Sequence, residues 1–161
     1  METSRVEITT LQIKIKTLKT VIMEKRIIKI ETSWTDDNYC AAAFLPDIEG
    51  VVMDTGKTFE DLKRSFEETL RSHIEMCLEA GDKIPEYLKE GNYELEFVFD
   101  VSAILKESEK FTTLAAISEV TGINRKQLSH YLRGEKKPRP DKRIKIIEGL
   151  HHIGEMALSI H

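Results

Sequence analysis

The residues with the clearest capacity for chemistry lie near the C-terminal end of the 161-residue chain. Residues 111–161 contain nine Lys or Arg and five Asp or Glu, and all nine basic residues fall between Arg125 and Lys145. Guanidinium and ammonium groups suit phosphate oxygens, and a bidentate Arg or Gln can also read a base edge. This stretch therefore predicts a nucleic-acid-binding surface.

Two short helices joined by a tight turn are predicted to present that surface. Gly122 would supply the positive φ that turns the chain, Ile123 would fill the corner, and Asn124 would cap the second helix. The side chains expected on the inner faces are Leu114, Ala115 and Ile117 on the first helix and Leu128, Tyr131 and Leu132 on the second.

The outward-facing polar side chains are the candidate DNA-binding residues. Residues at the start of such a helix reach base edges, so Arg125 or Lys126 could pair with guanine and Gln127 with adenine. Basic residues in the loop that follows suit phosphate contacts. The predicted set is Arg125, Lys126, Gln127, Ser129, His130, Arg133, Lys136, Lys137 and Arg139. A plain helical hairpin with a solvated face is the alternative interpretation.

Upstream of these helices, residues 26–101 predict a small α+β domain of order β-β-β-α-β. Runs 27–30, 39–45 and 50–54 are predicted as an antiparallel meander, and 93–101 as a fourth strand. Thr58 and Asp61 predict the start of a long helix that Gly81 ends. Its apolar stripe should lie on the sheet. That stripe consists of Phe59, Leu62, Phe66, Leu70, Ile74 and Cys77.

The remaining residues predict an all-α domain at 102–161 and an N-terminal extension at 1–25. Ser102 is the expected N-cap of a helix at about 103–109, and a last helix is expected at 141–158. The predicted buried stripe of that last helix is Ile144, Ile147, Leu150 or His151, Ile153, Met156 and Ala157. Its apolar excess predicts a contact in a homodimer or higher oligomer. Apolar residues in the extension, from Ile8 to Ile22, fit either a helix or a strand.

Charge and composition predict a cytoplasmic protein with two different partners. Residues 26–100 carry 8 Lys or Arg against 18 Asp or Glu, so this acidic part contrasts with the basic block. No apolar run approaches the ~20 residues of a membrane span, and no secretory signal begins the chain. Cys40 and Cys77 are expected as buried or free thiols. No metal or cofactor is expected, since the adjacent His151 and His152 would chelate poorly and His161 is terminal.

Two families resemble this chain. Residues 103–153 resemble the helix-turn-helix of phage repressors, through Leu-Ala-x-x-Ser-x-x-Thr-Gly-Ile-Asn from Leu114, Leu-Ser-x-Tyr-Leu-Arg-Gly from Leu128, and Pro-Arg-Pro from Pro138. Residues 26–100 resemble the N-terminal domain of HicB-type antitoxins. The matching segments are 39–44, Leu-Pro-Asp-Ile-Glu-Gly at 45–50, Thr-Gly at 55–56, the Thr-x-x-Asp start at Thr58 and Gly-Asp-Lys-Ile-Pro at 81–85.

These resemblances imply a fold, partners and roles. The repressor family implies Arg125, Lys126 and His130 as base-facing residues and residues 133–137 as phosphate contacts. The HicB family implies a partial ribonuclease-H-like fold without catalysis, a cognate HicA toxin that cuts messenger RNA, and repression of its own operon. The acidic surface of residues 26–100 fits a small basic toxin. Residues 1–25 depart from that family, which begins near Arg26.

Two other functions compete with the antitoxin hypothesis. The first is a stand-alone transcriptional repressor whose N-terminal domain senses a ligand or dimerises. The second is a two-metal nuclease, for which several carboxylates are needed. The carboxylates in question are Asp36, Asp37, Asp47, Asp54 and Glu60. Each has an ordinary explanation as a turn residue or a helix-dipole partner, so no enzyme is expected.

Overall fold

The computed structural model describes residues 25–48 and 50–160, which form an α+β arrangement of one four-stranded mixed sheet and six helices. The strands are β1 (Arg26–Thr35), β2 (Asn38–Phe44), β3 (Val51–Gly56) and β4 (Tyr93–Phe99). The helices are α1 (Phe59–Glu79), α2 (Glu86–Lys89), α3 (Val101–Ser108), α4 (Leu114–Thr121), α5 (Arg125–Leu132) and α6 (Pro140–Leu158). The predicted segment 8–22 lies outside the described residues.

The sheet has the strand order β3-β2-β1-β4. Its first three strands form the predicted antiparallel meander. β4 pairs in parallel with β1, because α1 carries the chain to the opposite end of the sheet before β4 begins. β1 is longer than predicted, since residues 33–35 continue the strand. The hairpin reverses only at Asp36 and Asp37, whose φ values of 49° and 59° suit a two-residue turn.

One face of the sheet packs against α1. Thr58 caps this helix as predicted, with its Oγ1 accepting the Asp61 N–H at 3.1 Å. The predicted stripe of α1 is buried from Leu62 to Cys77, and Phe59 is half-buried. Alternate side chains of β1 and β2 complete this first core. They are Ile28, Ile30, Tyr39, Ala41 and Ala43.

A second hydrophobic cluster lies between α3, α4, α5 and α6. Its buried members are Val101, Leu105, Ile117, Ile123, Leu128, Tyr131 and Ile146. Helix α3 contributes to both clusters, because Ala103 packs in the sheet core while Leu105 packs in the helical one. Helix α3 therefore joins the two cores.

The start of α3 differs from the prediction. β4 ends at Phe99, and Asp100 rather than Ser102 is the N-cap, with Oδ1 accepting the Ala103 N–H at 3.0 Å. Ser102 is buried instead. Its hydroxyl donates to Asp100 Oδ1 at 2.6 Å and accepts the backbone N–H of Trp34 at 2.8 Å. The helix begins earlier because the Asp100 carboxylate satisfies its first free N–H groups.

The inner faces of two other helices also differ from the prediction. Ala115 is exposed, although it was expected between helices. On α6, Ile146 and Gly149 are buried, whereas Ile144 is 55% exposed and His151 is exposed. The buried stripe of α6 is thus rotated relative to the predicted one, because the stripe is set by where α4 packs.

Across the described ranges, none of the helices combines the length and the apolar character that a membrane crossing would require.

The close approach of α4 to α6 gives a testable prediction. A Cβ added at Gly149 would lie 2.4 Å from Thr121 Cγ2 and 3.2 Å from Val120 Cγ2. Thr121 cannot turn away without losing the hydrogen bond from its hydroxyl to Ile117 O, at 2.6 Å. We expect Gly149→Ala to lower the free energy of unfolding by roughly 1–3 kcal/mol in urea denaturation.

Gly154→Ala is the matched control on the same helix. A Cβ there meets nothing within 4 Å, so the better helix propensity of Ala should raise the free energy of unfolding by about 0.4–1 kcal/mol. Equal effects of the two substitutions would contradict the close packing at Gly149.

Candidate nucleic-acid interface

The turn between α4 and α5 is held by side chains on both sides. Gly122 has a φ of 66°, in the left-handed region that glycine adopts without strain. Ser118 Oγ donates to Ile123 O at 2.7 Å, and Thr121 Oγ1 accepts the Ile123 N–H at 3.2 Å. Asn124 Oδ1 accepts the Lys126 N–H at 2.8 Å. The predictions for Gly122, Ile123 and Asn124 are confirmed, and the angle between the helices is fixed.

The inner face of α5 anchors it in the helical core. Leu128 and Tyr131 are buried, as predicted, and Leu132 is half-buried. The Tyr131 hydroxyl accepts a hydrogen bond from Gln127 Nε2 at 2.7 Å. The amide nitrogen of Gln127 is therefore already engaged. A bidentate contact to adenine would require this nitrogen to leave Tyr131.

The outer face of α5 and the loop after it carry exposed cations. Arg125, Lys126, Lys136, Lys137 and Arg139 are exposed. Within the described ranges, none of these five has a carboxylate oxygen within 4 Å. Their positive charge is therefore not offset by a neighbouring carboxylate of the described residues.

The other three predicted residues lie in a hydrogen-bonded cluster at the C-terminal end of α5. Arg133 donates from Nε to Glu135 Oε1 at 2.5 Å and from Nη1 to Ser129 Oγ at 2.5 Å. His130 Nδ1 contacts Glu135 Oε2. Hydrogen bonds from Arg133 and then from His130 lower the pKa of the Glu135 carboxyl to about 2. The positive charge of Arg133 is thus paired with Glu135 within the protein.

Sequence reasoning missed the role of Glu135. It is the one acidic residue in the segment 125–140, and this isolation within a basic run was the available signal. An acidic side chain there opposes the positive charge of the Arg and Lys residues predicted to bind DNA, so its position needs a physical reason.

Lys137 lies close to the sheet as well as to α5. It lines an open cleft of about 430 Å³ between the sheet and the first turn of α6. Arg143 lines the same cleft, and its Nη2 donates to Phe99 O at 3.2 Å. Lys137, in the loop that follows α5, therefore also lies close to the end of β4.

The carboxylates that a two-metal nuclease would need do not lie together in the structure. Asp54 Oδ2 accepts the Thr69 hydroxyl at 2.8 Å, while Asp47 Oδ2 accepts the Tyr87 hydroxyl at 3.0 Å. Asp36 and Asp37 lie exposed in the β1–β2 turn, and Glu60 lies in the first turn of α1. Within residues 25–48 and 50–160, no three His, Cys, Asp or Glu side chains are close enough together to hold a metal ion.

The remaining candidate ligands are separate from one another. His151 and His152 are exposed on α6, and His161 lies outside the described residues. Cys40 and Cys77 are free thiols, and burial raises the pKa of each.

Comparison of the chain with protein-family models, with curated protein sequences and with solved structures found no match in any of the three.

The pKa of Glu135 offers a direct test of the cluster geometry. Because the Arg133 hydrogen bond is the largest cause of the lowered pKa, Arg133→Ala should return it from about 2 toward its ordinary value of 4.5. A carboxyl whose folded-state pKa is lowered stabilises the fold above its ordinary pKa and loses that effect as the pH falls toward 2. Carbon NMR titration of the carboxyl measures the change.

Lys136→Ala is the control for this titration, since it removes one nearby positive charge that makes no bond to Glu135. It should leave the Glu135 pKa almost unchanged. A similar pKa in the wild type and in Arg133→Ala would show that the cluster does not form in solution.

Proposed function

We propose that residues 102–161 form a helix-turn-helix DNA-binding module, and that the protein is an antitoxin that represses its own operon. The observation that carries the DNA-binding part is a group of five exposed cations on α5 and in the loop after it, for which the described residues show no ion pair, beside a rigid α4–turn–α5 unit. A helix with its inner face anchored and its outer face cationic can enter a major groove without repacking.

In this proposal the start of α5 reads bases and the loop after it contacts the backbone. Arg125 and Lys126 lie in the first turn of α5, where base edges are reached in helix-turn-helix proteins. Lys136, Lys137 and Arg139 follow the helix and suit phosphate oxygens. The cluster at Ser129, His130 and Arg133 would contact DNA only after its internal hydrogen bonds rearrange.

The antitoxin part of the proposal rests on residues 26–101. Residues 26–100 contain 18 acidic and 8 basic residues, and this negative charge complements a small basic toxin of the HicA type. The resemblance to HicB-type antitoxins supplies the class of partner, and the sheet with α1 on one face supplies a folded platform for it. The protein would act in the cytoplasm by covering the toxin, without catalysis of its own.

A homodimer would fit the DNA-binding role, because helix-turn-helix proteins usually read paired half-sites. The C-terminal end of α6 provides the proposed contact. Met156 is 46% exposed, while Leu158 and Ile160 beyond it are 82% and 81% exposed. Apolar side chains that remain exposed at a helix end would be covered by a second copy of the same end.

The alternative is a stand-alone repressor that responds to a small ligand. The cleft of about 430 Å³ favours it, because ligand sites often lie where two folding units meet. A ligand there would touch Lys137 and so reach the proposed DNA-binding loop. Absence of a neighbouring toxin gene would favour this alternative.

Two substitutions separate base reading from backbone contact. Arg125→Ala should cost about 1–3 kcal/mol at one base position of the operator and little elsewhere. Lys136→Ala should weaken binding to all duplexes alike and reduce the slope of log K against log salt by about 0.9. Fluorescence anisotropy on an operator series measures both effects. Unchanged affinity in both variants would refute the assignment of α5.

Co-expression tests the antitoxin part. The tagged full-length chain, produced with the product of the adjacent short gene, should purify as a stable complex and rescue growth from that product. Arg125→Ala is the control, because it should lose operator selectivity and keep the complex. If the wild type binds DNA but retains no partner, the antitoxin part is wrong and the repressor alternative remains.

A further inference from the structure

Glu135 is placed at the end of the proposed recognition helix by the backbone itself. Gly134 has a φ of 70°, its N–H donates to Tyr131 O at 3.1 Å, and the Glu135 N–H donates to His130 O at 3.1 Å. This pair of bonds is the glycine-dependent motif that closes many helices. The backbone of Glu135 is thereby fixed beside the last turn of α5, on the side of Arg133.

The Glu135 carboxylate occupies the anion-binding face of Arg133. Its two oxygens meet Arg133 at Nε and at Nη2, at 2.5 and 3.3 Å, in the two-pronged arrangement that phosphate also accepts. The Nδ1 atom of His130 also contacts Oε2 of Glu135. The remaining guanidinium nitrogen of Arg133, Nη1, donates a hydrogen bond to Ser129 Oγ. Arg133 and His130 thus hold one carboxylate between them, and Ser129 orients the Arg133 guanidinium.

This carboxylate stabilises the fold only weakly, so stability alone does not account for its position. A negative charge near the C-terminal end of a helix opposes the helix dipole. Exposed ion pairs contribute little to folding, and Arg133 and Glu135 are both exposed. In this arrangement three of the nine predicted DNA-binding side chains are engaged within the protein and are not free to contact DNA.

We infer that Ser129, His130 and Arg133 form a binding site for a backbone phosphate of DNA, and that Glu135 occupies this site in the free protein as an internal competitor. The inference rests on the proposed DNA-binding function. Phosphate entry requires the Glu135 side chain to swing away, since the backbone there is confined. A Cβ added at Gly134 would lie 3.3 Å from Trp34 O.

The competitor lowers affinity for every duplex, because each has phosphates. Operator binding also gains energy from base contacts at Arg125 and Lys126, which Glu135 does not touch. Glu135 therefore weakens binding to the operator and to non-specific DNA by the same factor. Non-specific binding, whose affinity comes almost entirely from phosphate contacts, then becomes very weak, while the operator is still held by its base contacts.

Glu135→Gln tests the inference, with Glu148→Gln as the matched control. Glu148 is exposed on α6 and has no ion pair in the described ranges, so both variants remove one negative charge. Binding of each protein to the operator and to a random duplex is measured by anisotropy over a range of salt concentrations. Relative to Glu148→Gln, we expect Glu135→Gln to bind both duplexes about two- to fivefold more tightly. Its salt slope should be steeper by about 0.9.

The same comparison in an Arg133→Ala background identifies the group through which Glu135 acts. There the gain from Glu135→Gln should disappear, since the phosphate site has lost its guanidinium. If the wild type binds DNA and Glu135→Gln binds no more tightly than Glu148→Gln, the inference is wrong and the proposed function stands. Weaker binding by Glu135→Gln would instead make Glu135 a positioning residue for Arg133. If no variant binds any duplex, the proposed function fails as well.

Discussion

The arrangement of this protein depends on how the first turn of α3 is hydrogen-bonded to the end of β1. Ser102 Oγ accepts the Trp34 N–H at 2.8 Å and donates to Asp100, which also caps α3. Because a buried polar group without a partner is costly, α3 cannot turn about its axis without penalty. Ala103 and Leu105 are thereby directed into separate cores. The orientation of the helical cluster follows from that of the sheet.

Further contacts strengthen the same junction and extend it to the cationic surface. The Tyr39 hydroxyl donates to Glu107, and the Lys106 ammonium lies 4.6 Å from the centre of the Trp34 ring. The segment after α5 rests on the β1–β2 hairpin at Gly134, and Arg143 binds the end of β4. A partner that moved the β1–β2 hairpin would therefore act on the loop carrying the proposed phosphate contacts.

The elements whose formation depends only on neighbouring residues in the chain could be predicted from the sequence. The turn at Gly122 and Asn124 needs only a left-handed residue and a capping side chain, and the stripe of α1 needs only helical spacing. Elements that depend on distant partners could not. β1 continues past Ser33 because β2 pairs with it there, and the buried face of α6 is rotated because Gly149 lies against Thr121.

The sequence by itself determined which side chains near α5 carry positive charge and lie on its outer face, because residue type and local spacing set charge and helical face. It also determined the α+β class, through the change from alternating to helical periodicity. Only the tertiary structure decided that β4 pairs in parallel with β1, that α3 serves both cores, and that Lys137 lines a cleft beside the sheet. These outcomes join residues far apart in the chain, and their energies depend on packing that no local pattern encodes.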